Sequence, residues 1–349
     1  MSDARVAVIG FGLAGETFHA PLIAATSGLD VAAIVTTDPG RRASAARQYP
    51  EAKLLSSVDE IWRSAGDFDL VVVASPSGTH TEHALGAIEA GLSVVVDKPF
   101  AMSVADGDRM IGAANRRGVM IVPFQNRRWD GDFLTVRTLI DEGRLGAVRR
   151  FESRFERWRV IPKARWMQPG AAAAGEGMLY DLHSHLIDQA LVLFGPVAEV
   201  YAETARIREG VQVDDDAFVA LTHTSGVRSH LKATLVAADI GPRYRVYGDG
   251  GAYAKFGVDP QEEMLKAGRR PGDPGFGEDS PDNWGTLSDG TTTTRVPTAL
   301  GEYTQFYAGI RAMLHDNAAP PVNAADSVAG LRIIEASYRS AAERKVVTL

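Results

Sequence analysis

Residues 5–15, Arg-Val-Ala-Val-Ile-Gly-Phe-Gly-Leu-Ala-Gly, indicate the fold of the first part of this 349-residue chain. The β-branched run Arg5 to Ile9 leads into the glycine loop Gly10-Phe11-Gly12-Leu13-Ala14-Gly15, and a helical pattern follows, with Pro21 inside it. In such a strand–loop–helix, the first glycine permits a tight turn, the second lets the backbone approach a pyrophosphate, and the third allows close packing. The stretch therefore predicts a dinucleotide-binding unit, although the spacing alone also suits an ordinary strand–helix turn. Pro21 predicts that the first helix is kinked or restarts.

Short apolar runs and helical patterns alternate through the rest of the first third of the chain. The predicted strands are Arg5 to Ile9, Val31 to Val35, Leu70 to Ala74, Ser93 to Val96 and Met120 to Val122. Continuously apolar strands separated by helices are typical of a parallel sheet that is covered on both faces. We therefore predict an α/β fold whose first domain, residues 1–123, is a doubly wound Rossmann sheet.

The pattern changes after residue 123, where longer segments alternate between apolar and polar residues. The predicted strands here are Arg150 to Glu156, Glu199 to Ile207, Ala217 to Thr222, Val227 to Thr234 and Tyr244 to Tyr247. Alternation of this kind predicts a large, mostly antiparallel open sheet in a second, α+β domain, residues 124–349. Gly268 to Asp289 is rich in Gly, Pro and Asp and is predicted to be a long surface loop. We expect the open sheet to be covered by self-association, in a homodimer or homotetramer.

Composition narrows the range of partners. The formal net charge of −7 disfavours a nucleic-acid surface, and the absence of cysteine excludes disulfides and thiolate chemistry. There is no apolar run of the ~18 residues that a membrane span needs, and no leader pattern at the N-terminus. We expect a cytoplasmic protein that has no membrane or nucleic-acid partner and acts on a small molecule.

The residues after the second predicted strand bear on which dinucleotide is bound. An acidic side chain at this point would hold the ribose hydroxyls of NAD, whereas an arginine accommodates the 2′-phosphate of NADP. Thr36 and Thr37 fill the expected acidic position, Asp38 comes slightly late, and Arg41 and Arg42 follow. The pattern favours NADP(H) and leaves NAD(H) open, and the two arginines also suit a solvated pair that opens a helix.

Two further motifs, together with the glycine loop, carry a resemblance to a known family. They are Asp97-Lys98-Pro99 at a strand end and the segment Gly175 to Gln189, which contains Asp181-Leu182-His183-Ser184-His185. The chain resembles the Gfo/Idh/MocA family of sugar and polyol dehydrogenases over nearly its whole length. Tyr247-Gly248 and Asp259 to Glu262 resemble the branch that contains NADP-dependent scyllo-inositol dehydrogenase. Two departures are visible: Asp97 stands where the family usually has Glu, and His183 where glycine is common.

The resemblance implies that Lys98, Asp181 and His185 are the catalytic residues. Lys98 follows a parallel strand at the sheet edge where such sheets bind ligands, and Pro99 restricts it to extended geometry. Asp181 and His185 are four residues apart, so on a helix they share a face. By themselves, Asp181 also suits a helix N-cap and His185 a core histidine. Since residues two apart on a helix diverge, His-x-His at His183 does not predict a metal site, and we expect His183 to face the substrate or the domain boundary.

Other residues are expected to line the site. Ser75, Pro76 and His80 follow a strand end and are predicted on the nicotinamide side, and Arg128 and Trp166 are predicted to bind substrate. The predicted reaction is hydride transfer between the cofactor and a secondary alcohol or ketone of a cyclic polyol or sugar, with His185 as acid and base. The alternatives are a non-catalytic sensor or regulator of the same fold, a scaffold with a relict nucleotide domain, and a reductase of non-sugar substrates.

Overall fold

The structure, a computed structural model, describes residues 3–172 and 174–349, which form two compact units. Unit 1 consists of the chain up to Asn126 together with Gln261–Phe276 and Glu302–Val328; unit 2 consists of Arg127–Pro260, Gly277–Gly301 and Ala329–Leu349. The predicted domains, residues 1–123 and 124–349, stay a prediction. The first of them begins with Met1 and Ser2, which lie outside the described residues.

Unit 1 contains a parallel sheet of six strands in the order β3-β2-β1-β4-β5-β6. The strands are β1 (Ala4–Ile9), β2 (Leu29–Val35), β3 (Lys53–Leu55), β4 (Leu70–Val73), β5 (Ser93–Val96) and β6 (Ile121–Pro123). All of β4 and the last three residues of β5 are buried, as expected of central strands in a sheet covered on both faces. The strand order is that of a doubly wound Rossmann sheet. This part of the predicted fold is confirmed.

Unit 2 contains a mixed sheet of nine strands in the order β14-β13-β12-β11-β7-β10-β9-β8-β15. The strands are β7 (Val148–Glu156), β8 (Val197–Ala205), β9 (Asp216–His223), β10 (Arg228–Thr234), β11 (Tyr244–Gly248), β12 (Ala252–Lys255), β13 (Gly285–Ser288), β14 (Thr293–Val296) and β15 (Val347–Thr348). The central pair β7 and β10 is parallel, and the other pairings are antiparallel. The predicted mostly antiparallel sheet is confirmed.

α-Helices lie between many of the strands. They are α1 (Ala20–Ala24), α2 (Pro39–Gln48), α3 (Val58–Arg63), α4 (His80–Glu89), α5 (Val104–Arg117), α6 (Gly131–Asp141), α7 (Ser184–Phe194), α8 (Gln261–Lys266), α9 (Thr304–Asp316) and α10 (Ala324–Glu343). A wide π-helical turn, Ala14–His19, precedes α1, and Pro21 lies in the first turn of α1. The predicted restart of the first helix at Pro21 is confirmed. In the described part of the chain, no helix is long and apolar enough to cross a membrane.

The predicted surface loop Gly268 to Asp289 is partly wrong. Its last residues include β13, which pairs with β12 through Thr286 and Ala254. A buried ion pair fixes the segment from within: Lys255 Nζ lies 2.7 Å from Asp279 Oδ2, and neither side chain is more than 2% exposed. The sequence did not predict β13 because this strand has no apolar pattern of its own. Its hydrogen bonds to β12 hold it in the sheet.

Candidate active site

The three glycines of the loop after β1 differ in whether the fold leaves room for a side chain. Gly10 has φ +94°, and a Cβ there would lie 2.6 Å from the Ala74 carbonyl oxygen. A Cβ on Gly15 would collide with the Gly10 carbonyl oxygen. At Gly12, by contrast, a Cβ would meet only the Arg41 guanidinium, at an ordinary 3.7 Å. The fold thus requires Gly10 and Gly15, whereas at Gly12 a Cβ would meet no backbone, so the fold itself does not require a glycine there.

The polar residues after β2 divide into structural residues and one that faces the glycine loop. Asp38 Oδ1 accepts a 2.8 Å bond from the Arg41 N–H, so this carboxylate caps α2. The terminal nitrogens of Arg42 donate to the carbonyl oxygens of Thr36, Leu54 and Leu55. Thr36 is buried and Thr37 is exposed. Arg41 is the arginine of the pair whose guanidinium lies next to Gly12.

His80 joins the ends of β4 and β5. Its Nε2 and Nδ1 each lie 2.9 Å from a backbone oxygen, that of Ser75 and that of Pro99. The Ser75 hydroxyl lies 2.8 Å from Thr79 Oγ1 and 3.0 Å from His83 Nδ1, while Pro76 is exposed. The structure thus brings Ser75 and His80 to the same strand ends as Lys98. Lys98 is half-buried directly after β5, and the Lys98–Pro99 peptide is cis.

In unit 2, a wide π-helical turn, Leu179–His183, runs into α7 and carries Asp181 and His185. The start of this turn is held by Asp214, whose Oδ2 accepts a 2.9 Å bond from the Leu179 N–H while Oδ1 accepts a 2.8 Å bond from Tyr338. Asp181 lies inside the turn and is not its N-cap. His185 is only 5% exposed.

Buried polar contacts fix α7 directly after His185. Arg128 makes a bidentate pair with Asp188, through Nε at 2.9 Å and a terminal nitrogen at 2.7 Å. Gln189 Oε1 accepts bonds from Arg243 at 3.1 Å and from the Tyr244 hydroxyl at 2.8 Å. Because bidentate and buried hydrogen bonds restrict orientation, they hold the helix that presents His185. For Arg128, the contact that the structure shows is with Asp188.

The prediction that His183 faces the substrate or the domain boundary was wrong. His183 is fully buried, and its ring nitrogens face the carbonyl oxygens of Met178 at 3.4 Å and of Leu231, in β10, at 3.3 Å. Burial lowers the pKa of His183 from 6.5 to about 4. The residue is therefore a neutral core histidine at neutral pH. Among the described residues, no group of three His, Cys, Asp or Glu side chains is arranged to hold a metal ion.

The residues before α7 contain one candidate that the sequence did not reveal, Lys163. Trp166 is 1% exposed, with the Lys163 ammonium 5.9 Å from its ring centroid and the Arg208 guanidinium 5.5 Å away. Partial burial lowers the pKa of Lys163, and the charge of Asp181 opposes that change. Lys163 therefore interacts electrostatically with a predicted catalytic residue 18 positions away. The local feature that could have drawn attention to Lys163 is the short turn Ala164–Met167, which follows it and ends in Trp166 and Met167.

Known proteins are similar to this chain over nearly its whole length. A family model for an oxidoreductase family with an NAD-binding Rossmann fold matches residues 4–124, and one for the GFO/IDH/MocA C-terminal domain matches residues 133–254. The scyllo-inositol 2-dehydrogenase (NADP(+)) IolW of Bacillus subtilis is 35% identical, covering 99% of this chain and 96% of that protein. The oxidoreductase YdgJ of Escherichia coli is 38% identical, with 100% of both chains covered. The solved structure of the oxidoreductase yvaA from Bacillus subtilis has a TM-score of 0.94 at 34% identity and covers 100% of this chain and 99% of that one.

Proposed function

Because this chain belongs to the Gfo/Idh/MocA family of oxidoreductases, we propose that it is an NAD(P)-dependent dehydrogenase acting on a secondary alcohol or ketone of a cyclic polyol or sugar. The observation that carries the proposal is the buried His185 on a helix fixed by Arg128, Arg243 and Tyr244. A positioned imidazole of this kind is suited to proton transfer near neutral pH. The similarity to an enzyme named for scyllo-inositol supports an inositol-like substrate.

We propose NADP(H) as the cofactor, held by the glycine loop and by Arg41. The open space at Gly12 supports contact between the backbone and the pyrophosphate, and Arg41 lies beside that space. Arg42 is engaged with backbone carbonyl oxygens, and Asp38 caps a helix, so Arg41 is the residue assigned to the 2′-phosphate. Ser75, Pro76 and His80 are assigned to the nicotinamide end, and the nicotinamide supplies or accepts the hydride when it is bound.

In the proposed mechanism, His185 takes the proton of the reacting hydroxyl at an imidazole nitrogen during oxidation and returns it during reduction. Lys98 donates a hydrogen bond to the same oxygen, which stabilises the negative charge that develops there. Asp181 binds a neighbouring hydroxyl or orients His185. Positioned acid–base catalysis of this kind contributes about 10²–10⁴-fold to the rate.

Trp166 and Arg128 complete the proposed substrate site. The indole N–H of Trp166 is buried and has no hydrogen-bond acceptor within the described part of the chain. A buried donor of this kind is satisfied by a water or a ligand oxygen, so we assign it to a substrate hydroxyl. Arg128 holds Asp188, so we assign it a supporting role as well as the predicted contact with substrate.

The sheet of unit 2 is the proposed surface for self-association. In β9, buried residues alternate with half-buried ones such as Phe218 and Thr222, and His230 and Lys232 of β10 are not fully buried. A sheet face of this kind is commonly covered by a second copy of the chain. We therefore propose a homodimer or homotetramer.

The proposed function is tested by assaying the purified protein with a panel of inositols and aldoses, each with NAD and with NADP. We expect reduced nicotinamide to form with at least one substrate and faster with NADP. Tight dinucleotide binding without turnover of any substrate would instead indicate a sensor or regulator of the same fold.

A further inference from the structure

Unit 1 contains a chain of three polar side chains to which the proposed mechanism assigns no role: Tyr307, His19 and the partly exposed Asp97. Tyr307 lies on α9 and His19 in the turn after the glycine loop, and both are fully buried. The Tyr307 hydroxyl lies 2.6 Å from His19 Nδ1, and His19 Nε2 lies 3.5 Å from Asp97 Oδ1. Aromatic rings enclose them, because the His19 ring packs 4.2 Å from that of Phe124. We call these three residues the His19 chain.

The protons of the His19 chain can be assigned from its chemistry. Burial and the charge of Asp97 raise the pKa of Tyr307 well above 10, so its hydroxyl keeps its proton. The Tyr307 O–H then donates to His19 Nδ1, and a neutral ring carries its proton on Nε2, which faces Asp97. The pKa of Asp97 lies below its usual range: burial alone would raise it, but the contact with His19 and the charge of Lys98 lower it. Asp97 is therefore a carboxylate.

The segment Asp97–Pro99 is held from both sides. The Asp97 side chain faces His19, its backbone N–H donates to the Val73 carbonyl at 2.9 Å, and the Pro99 carbonyl lies 2.9 Å from His80. Lys98 lies between these points, and its ammonium interacts electrostatically with the Asp97 carboxylate. A lysine whose backbone and neighbouring carboxylate are both held has fewer conformations to lose when it acts, which favours efficient catalysis.

We propose that His19 and Tyr307 are positioning residues for Lys98, which they orient through the Asp97 carboxylate. This inference rests on the proposed function, because Lys98 is there the donor to the reacting oxygen. It also gives a role to polar side chains that lie among the aromatic residues Phe124 and Phe306, where burying a polar group costs free energy.

The test uses Tyr307→Phe, which removes one hydroxyl and keeps the ring that packs on Phe124 and Phe306. We expect kcat to fall about tenfold, with the dinucleotide Kd changed by less than about twofold. In a Lys98→Gln background, Tyr307→Phe is expected to have no further effect, since coupled residues are not additive. Tyr253→Phe is the matched control: it removes another buried hydroxyl, in unit 2, and should keep wild-type kcat. Wild-type kcat in Tyr307→Phe, or an equal further loss in Lys98→Gln, would overturn the inference.

A second measurement does not depend on turnover. In protein labelled with ¹⁵N-histidine, the His19 signals are identified by their loss in His19→Gln. We expect a protonated Nε2 and an unprotonated Nδ1, with Nδ1 shifting in Tyr307→Phe and Nε2 in Asp97→Asn. Signals that are unchanged in both variants would overturn the inference. If the wild type turns over no substrate, the proposed function fails. The NMR measurement then still tests whether Tyr307, His19 and Asp97 are linked as described.

Discussion

His185 lies on a helix whose following turn is fixed by Arg128, Arg243 and Tyr244, so a substitution at this position removes a proton carrier while its surroundings are held. For His185→Gln, we expect kcat to fall by about 10²–10⁴-fold, the usual contribution of positioned acid–base catalysis. The dinucleotide Kd should stay within about twofold of the wild type. His315→Gln, in α9, is the control for loss of a histidine. Near-normal turnover of His185→Gln would refute the acid–base role.

Arg41 is the residue that we expect to select the cofactor. For Arg41→Ala, the NADPH affinity should fall about 10–100-fold, because a charge-assisted bond to the 2′-phosphate is lost. The NADH affinity should be almost unchanged, since NADH has no phosphate at that position. Fluorescence titration of both nucleotides measures the two values in the same protein. Equal losses for NADPH and NADH, or tighter NADH binding by the wild type, would contradict the assignment.

At the residue scale, sequence reasoning can propose candidates where a motif is contiguous but misses residues whose partners are distant in the chain. The glycine loop and the segment around His185 can be recognised from consecutive residues. In the structure, a side chain at each of the three glycines would meet different atoms. His19 and Tyr307, however, lie 288 positions apart, and Lys163 acts on Asp181 from a different segment. No local pattern reveals such pairs, because the tertiary fold alone brings them together.

At the scale of an element, the π-helical turn that precedes α7 makes the stability of the protein depend on pH through His183. Burial lowers the folded-state pKa of His183 to about 4, whereas in the unfolded chain it titrates near its ordinary value of 6.5. The unfolded state therefore takes up a proton first as the pH falls. The fold therefore has its full stability with respect to His183 above about pH 6.5, and it loses stability as the pH falls towards 4.

From this difference in pKa, we expect His183 to lower the free energy of unfolding of the wild type by roughly 2 kcal/mol when the pH falls from about 7.5 to 5. Denaturant unfolding at both pH values measures the change. His183→Asn should lose less over the same interval, and comparing the two proteins cancels the contributions of the other histidines. An identical pH dependence in the variant would show that His183 titrates normally in the fold.

Elements were predictable where burial imposes a pattern. The central strands β4 and β5 are continuously apolar because both faces are covered, and they were found. β3 was missed because it is three residues long and only half-buried, and β13 because it lies in a Gly- and Pro-rich segment. In both cases, hydrogen bonds to a neighbouring strand decide the conformation, and these are not visible in the local sequence.

At the scale of the whole molecule, the sheet of unit 2 leads to a prediction about assembly. We expect light scattering at micromolar concentration to give the mass of a dimer or a tetramer of this 37.4 kDa chain. Lys232→Glu together with Phe218→Asp should lower that mass, because one charge is introduced and another reversed in the proposed interface. A monomeric mass for the wild type would contradict self-association.

The central claim is that this chain transfers a hydride between a polyol or sugar carbon and a nicotinamide. The most direct measurement uses scyllo-inositol deuterated at its ring carbons, together with NADP and the wild-type protein, with mass spectrometry of the nicotinamide product. We predict that reduced nicotinamide forms and carries deuterium from the substrate carbon, and that His185→Gln strongly slows its formation. Reduced nicotinamide without deuterium, or none from any deuterated inositol or aldose, would contradict the claim.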